Sequence, residues 1–161
     1  MNDVVADFRT TVESSSRALL ELSEPEAAAR PGPGKWSPKE IVGHLIDSAA
    51  NNHRRFVLAQ IEEELVFPGY QQEAWVRAQN YQDASWVALV ELWRAYNLHL
   101  ARVMECVPER ERARPRRRHN LHEIAFGRVS EAEPASLELL MRDYVVHLKH
   151  HVAQILAHRS A

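Results

Sequence analysis

The sequence has little cysteine and little glycine, with one cysteine, Cys106, and five glycines among 161 residues. A single cysteine cannot form an intrachain disulfide, and so few glycines exclude collagen-like and low-complexity chains. The first eight residues carry Asp3 and Asp7 in place of the basic and then apolar pattern of a secretory signal. The sequence therefore predicts a cytoplasmic globular protein, with residues 1–161 as a single domain.

Long apolar runs and an excess of one charge are also missing. Charged residues interrupt every apolar stretch before it reaches the roughly 18 residues that a membrane span requires. The 20 basic residues nearly balance the 22 acidic ones, and a net charge of -2 creates no long-range attraction to nucleic acid or to anionic membranes. We therefore expect neither a membrane nor a nucleic acid as the partner.

Helical periodicity dominates the rest of the chain. Apolar residues recur at intervals of three and four, as on one face of an amphipathic helix, and no segment alternates as a strand does. Four long segments show this pattern: about 3–22, 38–63, 85–107 and 134–159. We also expect a short helical turn within 71–80 and a loop over 108–134. The predicted fold class is all-α, a four-helix bundle with long connecting loops.

The second long segment has the clearest start signal. Ser37 precedes Pro38, a residue favoured at the first position of a helix, and Glu40 follows three residues after the serine. This is the pattern of a capping box, in which the serine and glutamate side chains satisfy free N–H groups of the first turn. The helix is therefore predicted to begin at Pro38.

Residues 109–118 contain six arginines and two glutamates. The simpler interpretation is a solvated surface loop, because the glutamates and Pro115 dilute the positive charge. The alternative is an anion-binding patch, which would make nucleic-acid binding through 110–118 a competing function.

Nine histidines are the unusual count in this composition, and they are concentrated toward the C-terminal third. His147 and His151 are four residues apart, so on a helix they lie about 40° from each other and can bind one ion together. Tyr144 shares this face with the apolar residues Leu140 and Ile155. The histidine pair is therefore expected to point inward.

A third histidine, His44, lies beside the apolar stripe of the second long segment. Ser48, Asn51 and Arg55 continue a polar row from it and are candidates to line a pocket. Three neutral imidazoles with an open fourth position suit Zn²⁺ or Ni²⁺. The alternative is that each histidine is a hydrogen-bonded core residue. A zinc peptidase is excluded, because its motif places glutamate directly after the first histidine, where this chain has Leu148.

Three segments carry a resemblance to a known family: WSPKEIVGHLIDS at 36–48, PGYQQEAWV at 68–76 and DYVVHLKHHVAQI at 143–155. In this order and spacing they are similar to the DinB/YfiT-like family of metalloenzymes, and the resemblance spans nearly the whole chain. It implies a four-helix bundle whose divalent metal is held by His44, His147 and His151.

The resemblance also implies an activity. Characterised members of the family include S-transferases that use a low-molecular-weight thiol, so the first expectation is such a transferase, acting on a small-molecule substrate with Zn or Ni and a thiol cosubstrate. Family members are often dimers, which predicts a homodimer here. A metal-dependent hydrolase stays open as an alternative, and so does a non-enzymatic ligand-binding or stress-related module with a structural or vestigial metal.

Two further residues have two interpretations each. Thiol transfer on a metal requires no catalytic cysteine, so Cys106 is expected to be a small buried residue near the end of the third long helix, the alternative being a nucleophile. Tyr144 is expected either to donate to an anion on the metal or to pack in the bundle with its hydroxyl satisfied.

Overall fold

Helices make up most of the computed structural model, which describes residues 1–157. In chain order they are α1 (Asn2–Leu20), α2 (Glu24–Ala28), α3 (Pro38–Leu58), α4 (Gln72–Gln79), a 3₁₀ turn (Tyr81–Asp83), α5 (Trp86–Cys106), α6 (Glu109–Ala113), α7 (Leu121–Ile124) and α8 (Leu137–Ala157). Extended pairing within residues 1–157 is limited to two isolated bridges, Leu65 with His119 and Arg116 with Ala135. The predicted all-α class is confirmed.

Two details of the predicted secondary structure are wrong. Helix α3 ends at Leu58 and not at residue 63, because continuation would place Glu62, Glu63 and Glu64 at a helix C-terminus, where negative charge opposes the helix dipole. The predicted loop over 108–134 contains the short helices α6 and α7. The predicted end of the last helix, at residue 159, lies outside the described residues.

The predicted start of α3 is confirmed. The Ser37 hydroxyl accepts a hydrogen bond from the amide of Glu40 at 3.3 Å, and the Glu40 carboxylate accepts one from the amide of Ser37 at 2.8 Å. Both residues are buried, so this cap fixes the position of α3 in the bundle from its first turn. It lies seven residues before His44.

The arrangement of the four long helices explains the long connections. Helix α3 packs on α5 and α8, and α1 packs on the same two helices. Consecutive long helices α1 and α3 therefore lie across the bundle from each other, as do α5 and α8. The connections 21–37 and 107–136 must cross the bundle, which two- or three-residue turns cannot do. Each helix within residues 1–157 is too short or too polar to cross a bilayer.

The arginine-rich segment holds one of these connections against the bundle. Five of its six arginines lie within salt-bridge distance of a glutamate: Arg110 and Arg116 with Glu111, Arg112 with Glu138, Arg114 with Glu63, and Arg118 with Glu64. Arg116 is itself buried and donates to the carbonyl of Ala59 at 2.7 Å. These pairs neutralise the positive charge, which favours the surface-loop interpretation.

The prediction that Cys106 is buried is wrong, since its side chain is exposed. It follows the buried Met104 by two residues, and a two-residue step turns a helix by about 200°. Cys106 therefore faces solvent at the end of α5.

Candidate metal centre

Three histidines meet where α3 packs on α8. His44 comes from α3, and His147 and His151 come from α8. The Nε2 atoms of His44 and His147 are 3.1 Å apart, and one ring nitrogen of each of the three residues lies within 4.8 Å of the other two. The structure thus brings together the three side chains proposed from the sequence, across a separation of 103 residues.

Aromatic side chains enclose this histidine cluster. His44 is completely buried, and the ring of Trp36 packs against it with the centroids 5.2 Å apart. Phe126 packs against His147, also at 5.2 Å. His147 and His151, one helical turn apart, have centroids 4.6 Å apart. The rings are held in place by packing and by their own helices.

The cluster is neutral at neutral pH. Burial, with a smaller contribution from His151, lowers the pKa of His44 to about 4. Burial and the neighbouring histidines lower the pKa of His147 to about 3. Burial also lowers the pKa of His151, against an opposing hydrogen bond to Gln154. Each neutral imidazole keeps one nitrogen lone pair, which is the form that binds a metal ion.

The donor set fits a divalent cation. His151 donates from Nδ1 to Oε1 of Gln154 at 3.0 Å, which leaves the lone pair on Nε2. Tetrahedral zinc with bonds of about 2.0–2.1 Å places its ligand nitrogens roughly 3.3 Å apart, and the Nε2 atoms of His44 and His147 are 3.1 Å apart. Within residues 1–157 the cluster includes no fourth histidine, cysteine or carboxylate. The arrangement suits three nitrogen ligands and an open fourth position.

A cavity of about 190 Å³ lies against His147 and His151. Its wall includes the following polar or aromatic residues: Ser48, Asn52, Arg55, Tyr70, Phe126, Asp143 and Tyr144. Ser48, Arg55 and Tyr144 were proposed from the sequence as lining residues. The cavity gives a small molecule access to the edge of the histidine cluster.

Asn51, also proposed as a lining residue, is not part of this wall. Its side chain donates to the carbonyl of Asp47 at 2.9 Å, and the neighbouring Asn52 lines the cavity instead. Asn52 lies about 80° around the helix from His44, on the same side as Ser48, whereas Asn51 lies about 20° to the other side. Sequence reasoning missed Asn52 because it did not establish which edge of the polar row faces α8.

Asp143 is the acidic residue in the cavity wall, and its carboxylate is already engaged. Its two oxygens accept hydrogen bonds from the amides of Phe126 at 2.8 Å and Gly127 at 2.7 Å. These bonds hold the loop after α7 against α8 and keep Phe126 beside His147. Because no helical periodicity marks this loop, its sequence does not indicate that Phe126 belongs to the site.

Tyr144 packs in the bundle with its hydroxyl satisfied, the second of its two interpretations. The hydroxyl donates to Oδ1 of Asn97 at 2.6 Å, and both side chains are buried. Burial raises the pKa of Tyr144 well above its ordinary value, so the hydroxyl keeps its proton. Tyr144 therefore ties α8 to α5 behind the cavity.

The Tyr144→Phe variant is expected to be less stable by about 1–3 kcal/mol, because Oδ1 of Asn97 would stay buried without a donor. Denaturant unfolding measures this, with Tyr96→Phe as the control. The Tyr96 hydroxyl is only half-buried and lies 3.3 Å from Nδ1 of His53, so its loss should cost less than about 1 kcal/mol. Unchanged stability of Tyr144→Phe together with lost metal would contradict this assignment.

Comparison with known proteins agrees with the fold. A family model of the DinB superfamily matches residues 7–155. A protein of Bacillus licheniformis with the provisional name metal-dependent hydrolase is 24% identical over 156 residues, which cover 97% of this chain and 83% of that protein. YfiT of Bacillus subtilis, with the same provisional name, is 25% identical over 155 residues, covering 96% and 78% of the two chains.

The solved structure of YfiT from Bacillus subtilis superposes on this chain with a TM-score of 0.78 at 20% identity, covering 99% of this chain and 86% of that one. That protein is described as having an unusual four-helix bundle topology, which agrees with the bundle described above. The resemblance found in the sequence is confirmed, and the chain belongs to the DinB superfamily.

Proposed function

We propose that this protein is a divalent-metal-dependent enzyme that acts on a small molecule, with His44, His147 and His151 as the metal ligands. The observation that supports this most strongly is the meeting of three neutral imidazoles beside a cavity. Zn²⁺ and Ni²⁺ suit an all-nitrogen donor set. When bound, such a cation supplies the Lewis acidity that ionises water or a thiol near neutral pH.

The surrounding residues fit a reactive site better than a purely structural one. Structural zinc sites are closed by four protein ligands, and within residues 1–157 this cluster has three. Gln154 orients the ring of His151 by accepting a hydrogen bond from Nδ1 of that histidine. Trp36 packs against the ring of His44, and Phe126 packs against the ring of His147. These contacts restrict the orientation of the ligands, and the cavity provides the route to the cluster.

Hydrolysis is the first candidate reaction. Two relatives that align with nearly all of this chain carry the provisional name metal-dependent hydrolase. Water is the nucleophile in this case, and the cavity admits it together with a small substrate. The site would then catalyse hydrolysis without the glutamate base of zinc peptidases. Its protein ligands would be His44, His147 and His151.

Thiol transfer is the second candidate, and one observation favours it. Each oxygen of Asp143, the acidic residue in the cavity wall, already accepts a backbone amide, and no other carboxylate from residues 1–157 lines the cavity, so the wall offers little to assist the deprotonation of water. An ionised thiol is itself a strong nucleophile and needs no such assistance. A low-molecular-weight thiol would be the cosubstrate of this transferase.

One set of measurements tests the proposal. Protein purified without a histidine tag is expected to contain about one Zn or Ni per chain by elemental analysis. Metal-dependent release of nitrophenol from p-nitrophenyl acetate would identify a hydrolase, and metal-dependent coupling of cysteine to chlorodinitrobenzene would identify a transferase. A protein that never takes up a divalent ion would overturn the proposal, and a loaded protein inactive in both assays would favour the non-enzymatic alternative.

A further inference from the structure

A buried positive charge in the cavity wall has no negative partner among residues 1–157. In the described part of the chain three lysine or arginine side chains are buried, Lys39, Arg55 and Arg116, with exposed fractions of 4%, 6% and 3%. Lys39 pairs with Glu24 at 2.5 Å and Arg116 with Glu111 at 3.6 Å. No carboxylate of residues 1–157 lies within salt-bridge distance of Arg55.

Arg55 also has hydrogen-bonding capacity to spare. One of its terminal amino groups donates to the carbonyl of Pro68 at 3.1 Å, and the described part of the chain offers its guanidinium no other acceptor. A guanidinium has five N–H donors. Burial lowers the pKa of Arg55, but an arginine stays protonated at neutral pH. A buried charge without a partner is strongly unfavourable, which indicates that the counter-ion comes from outside the chain.

The acidic and ionisable groups of this region do not pair with Arg55. Oδ1 of Asp47 accepts hydrogen bonds from Gln79 and from the hydroxyl of Tyr81, both at 2.7 Å, and its Oδ2 is buried without a hydrogen-bond partner in residues 1–157. Asp143 is bonded to the amides of the loop after α7. Burial raises the pKa of Tyr70, so its phenol is neutral. The charge of Arg55 therefore remains available to the cavity that it shares with His147 and His151.

We propose that the substrate is a small anion, and that Arg55 binds its carboxylate or phosphate group while the reacting bond lies at the histidine cluster. This inference rests on the proposed function for the location of the reaction. The planar guanidinium fork matches two oxygens of either group. Arg55 is seven residues beyond Ser48, whose hydroxyl lies 3.5 Å from Nδ1 of His147, so these two backbone positions are about 10 Å apart along α3. Asn52, between them on α3, also lines the cavity.

Calorimetric titration of the full chain with succinate and, separately, with inorganic phosphate tests this. At least one of the two anions is expected to bind wild-type protein, and the anion that binds identifies the group recognised. Arg55→Met, which keeps the length of the side chain without its charge, should weaken binding roughly tenfold or more. Wild-type protein that binds neither anion, or Arg55→Met that binds as tightly as wild type, would overturn the proposal.

Two controls separate anion binding from a structural role of Arg55 and from the metal. Arg116→Met removes the other buried arginine, which lies outside the cavity, and should leave anion binding unchanged. Arg55→Lys, available if the methionine variant unfolds, keeps the charge without the fork and should weaken binding about three- to tenfold. Metal-free protein is also expected to bind the anion. The proposal of an anion site is therefore tested independently of metal binding and of any catalytic activity.

Discussion

Replacement of His147 by alanine is expected to abolish stoichiometric metal binding and any metal-dependent turnover. His147 provides a central contact of the cluster, with its Nε2 3.1 Å from Nε2 of His44 and its ring 4.6 Å from that of His151. Loss of one of three ligands should weaken metal affinity by more than the roughly 10- to 100-fold that follows loss of a supporting residue. Elemental analysis and competitive titration with a chromogenic chelator measure this.

His53→Ala is the matched control for this experiment. His53 also belongs to α3, and its ring lies 4.9 Å from that of His99, outside the cluster formed by His44, His147 and His151. The His53→Ala protein should retain the metal. Added Zn²⁺ at 100 times its dissociation constant should raise the free energy of unfolding of both His53→Ala and wild type by about 2.7 kcal/mol. The same addition should leave His147→Ala unchanged. A His147→Ala protein with wild-type affinity would remove the basis of the proposed site.

Gly43→Ala is expected to destabilise the protein by about 2 kcal/mol or more, through overpacking next to His44. A Cβ atom on Gly43 would lie 2.1 Å from Cδ2 and 2.3 Å from Cγ of Tyr81. The Tyr81 ring cannot easily withdraw, because its hydroxyl is held 2.7 Å from Asp47 and 2.8 Å from Gln79. This clash outweighs the gain of up to about 1 kcal/mol that alanine usually brings over glycine inside a helix.

Thermal unfolding provides the measurement, and the expected loss corresponds to a decrease in Tm of about 4–8 °C or more for a chain of this size. Gly69→Ala is the control, since the nearest atom to its added Cβ is 3.9 Å away, an ordinary contact distance. If Gly43→Ala melted at or above the wild-type temperature, the close packing of Tyr81 on α3 would be refuted.

Local features of this protein could be predicted from the sequence, because they depend on a few adjacent residues. The capping box of Ser37 and Glu40 fixes the start of α3 through backbone amides three residues apart. The proximity of His147 and His151 follows from helical spacing alone. In contrast, a helical wheel does not establish that His44 faces this pair, and the resemblance to a known family supplied that step.

The remaining parts of the site depend on tertiary contacts that leave no periodic pattern. The position of Phe126 beside His147 is set by the carboxylate of Asp143 on the following long helix. The choice between Asn51 and Asn52 depends on how α3 is rotated against α8, which a single helix does not specify. The short helices α6 and α7 are likewise held by contacts with the rest of the bundle, such as the pairing of Arg112 with Glu138.

The separation of the histidines along the chain also bears on biosynthesis. His44 on α3 is made 103 residues before His147 on α8. Chains generally fold from the N-terminus during synthesis, so α3 can fold before the pair on α8 has been made. The proposed three-histidine site therefore forms only after α8 has packed on α3, and chains that terminate before α8 lack two of its three ligands.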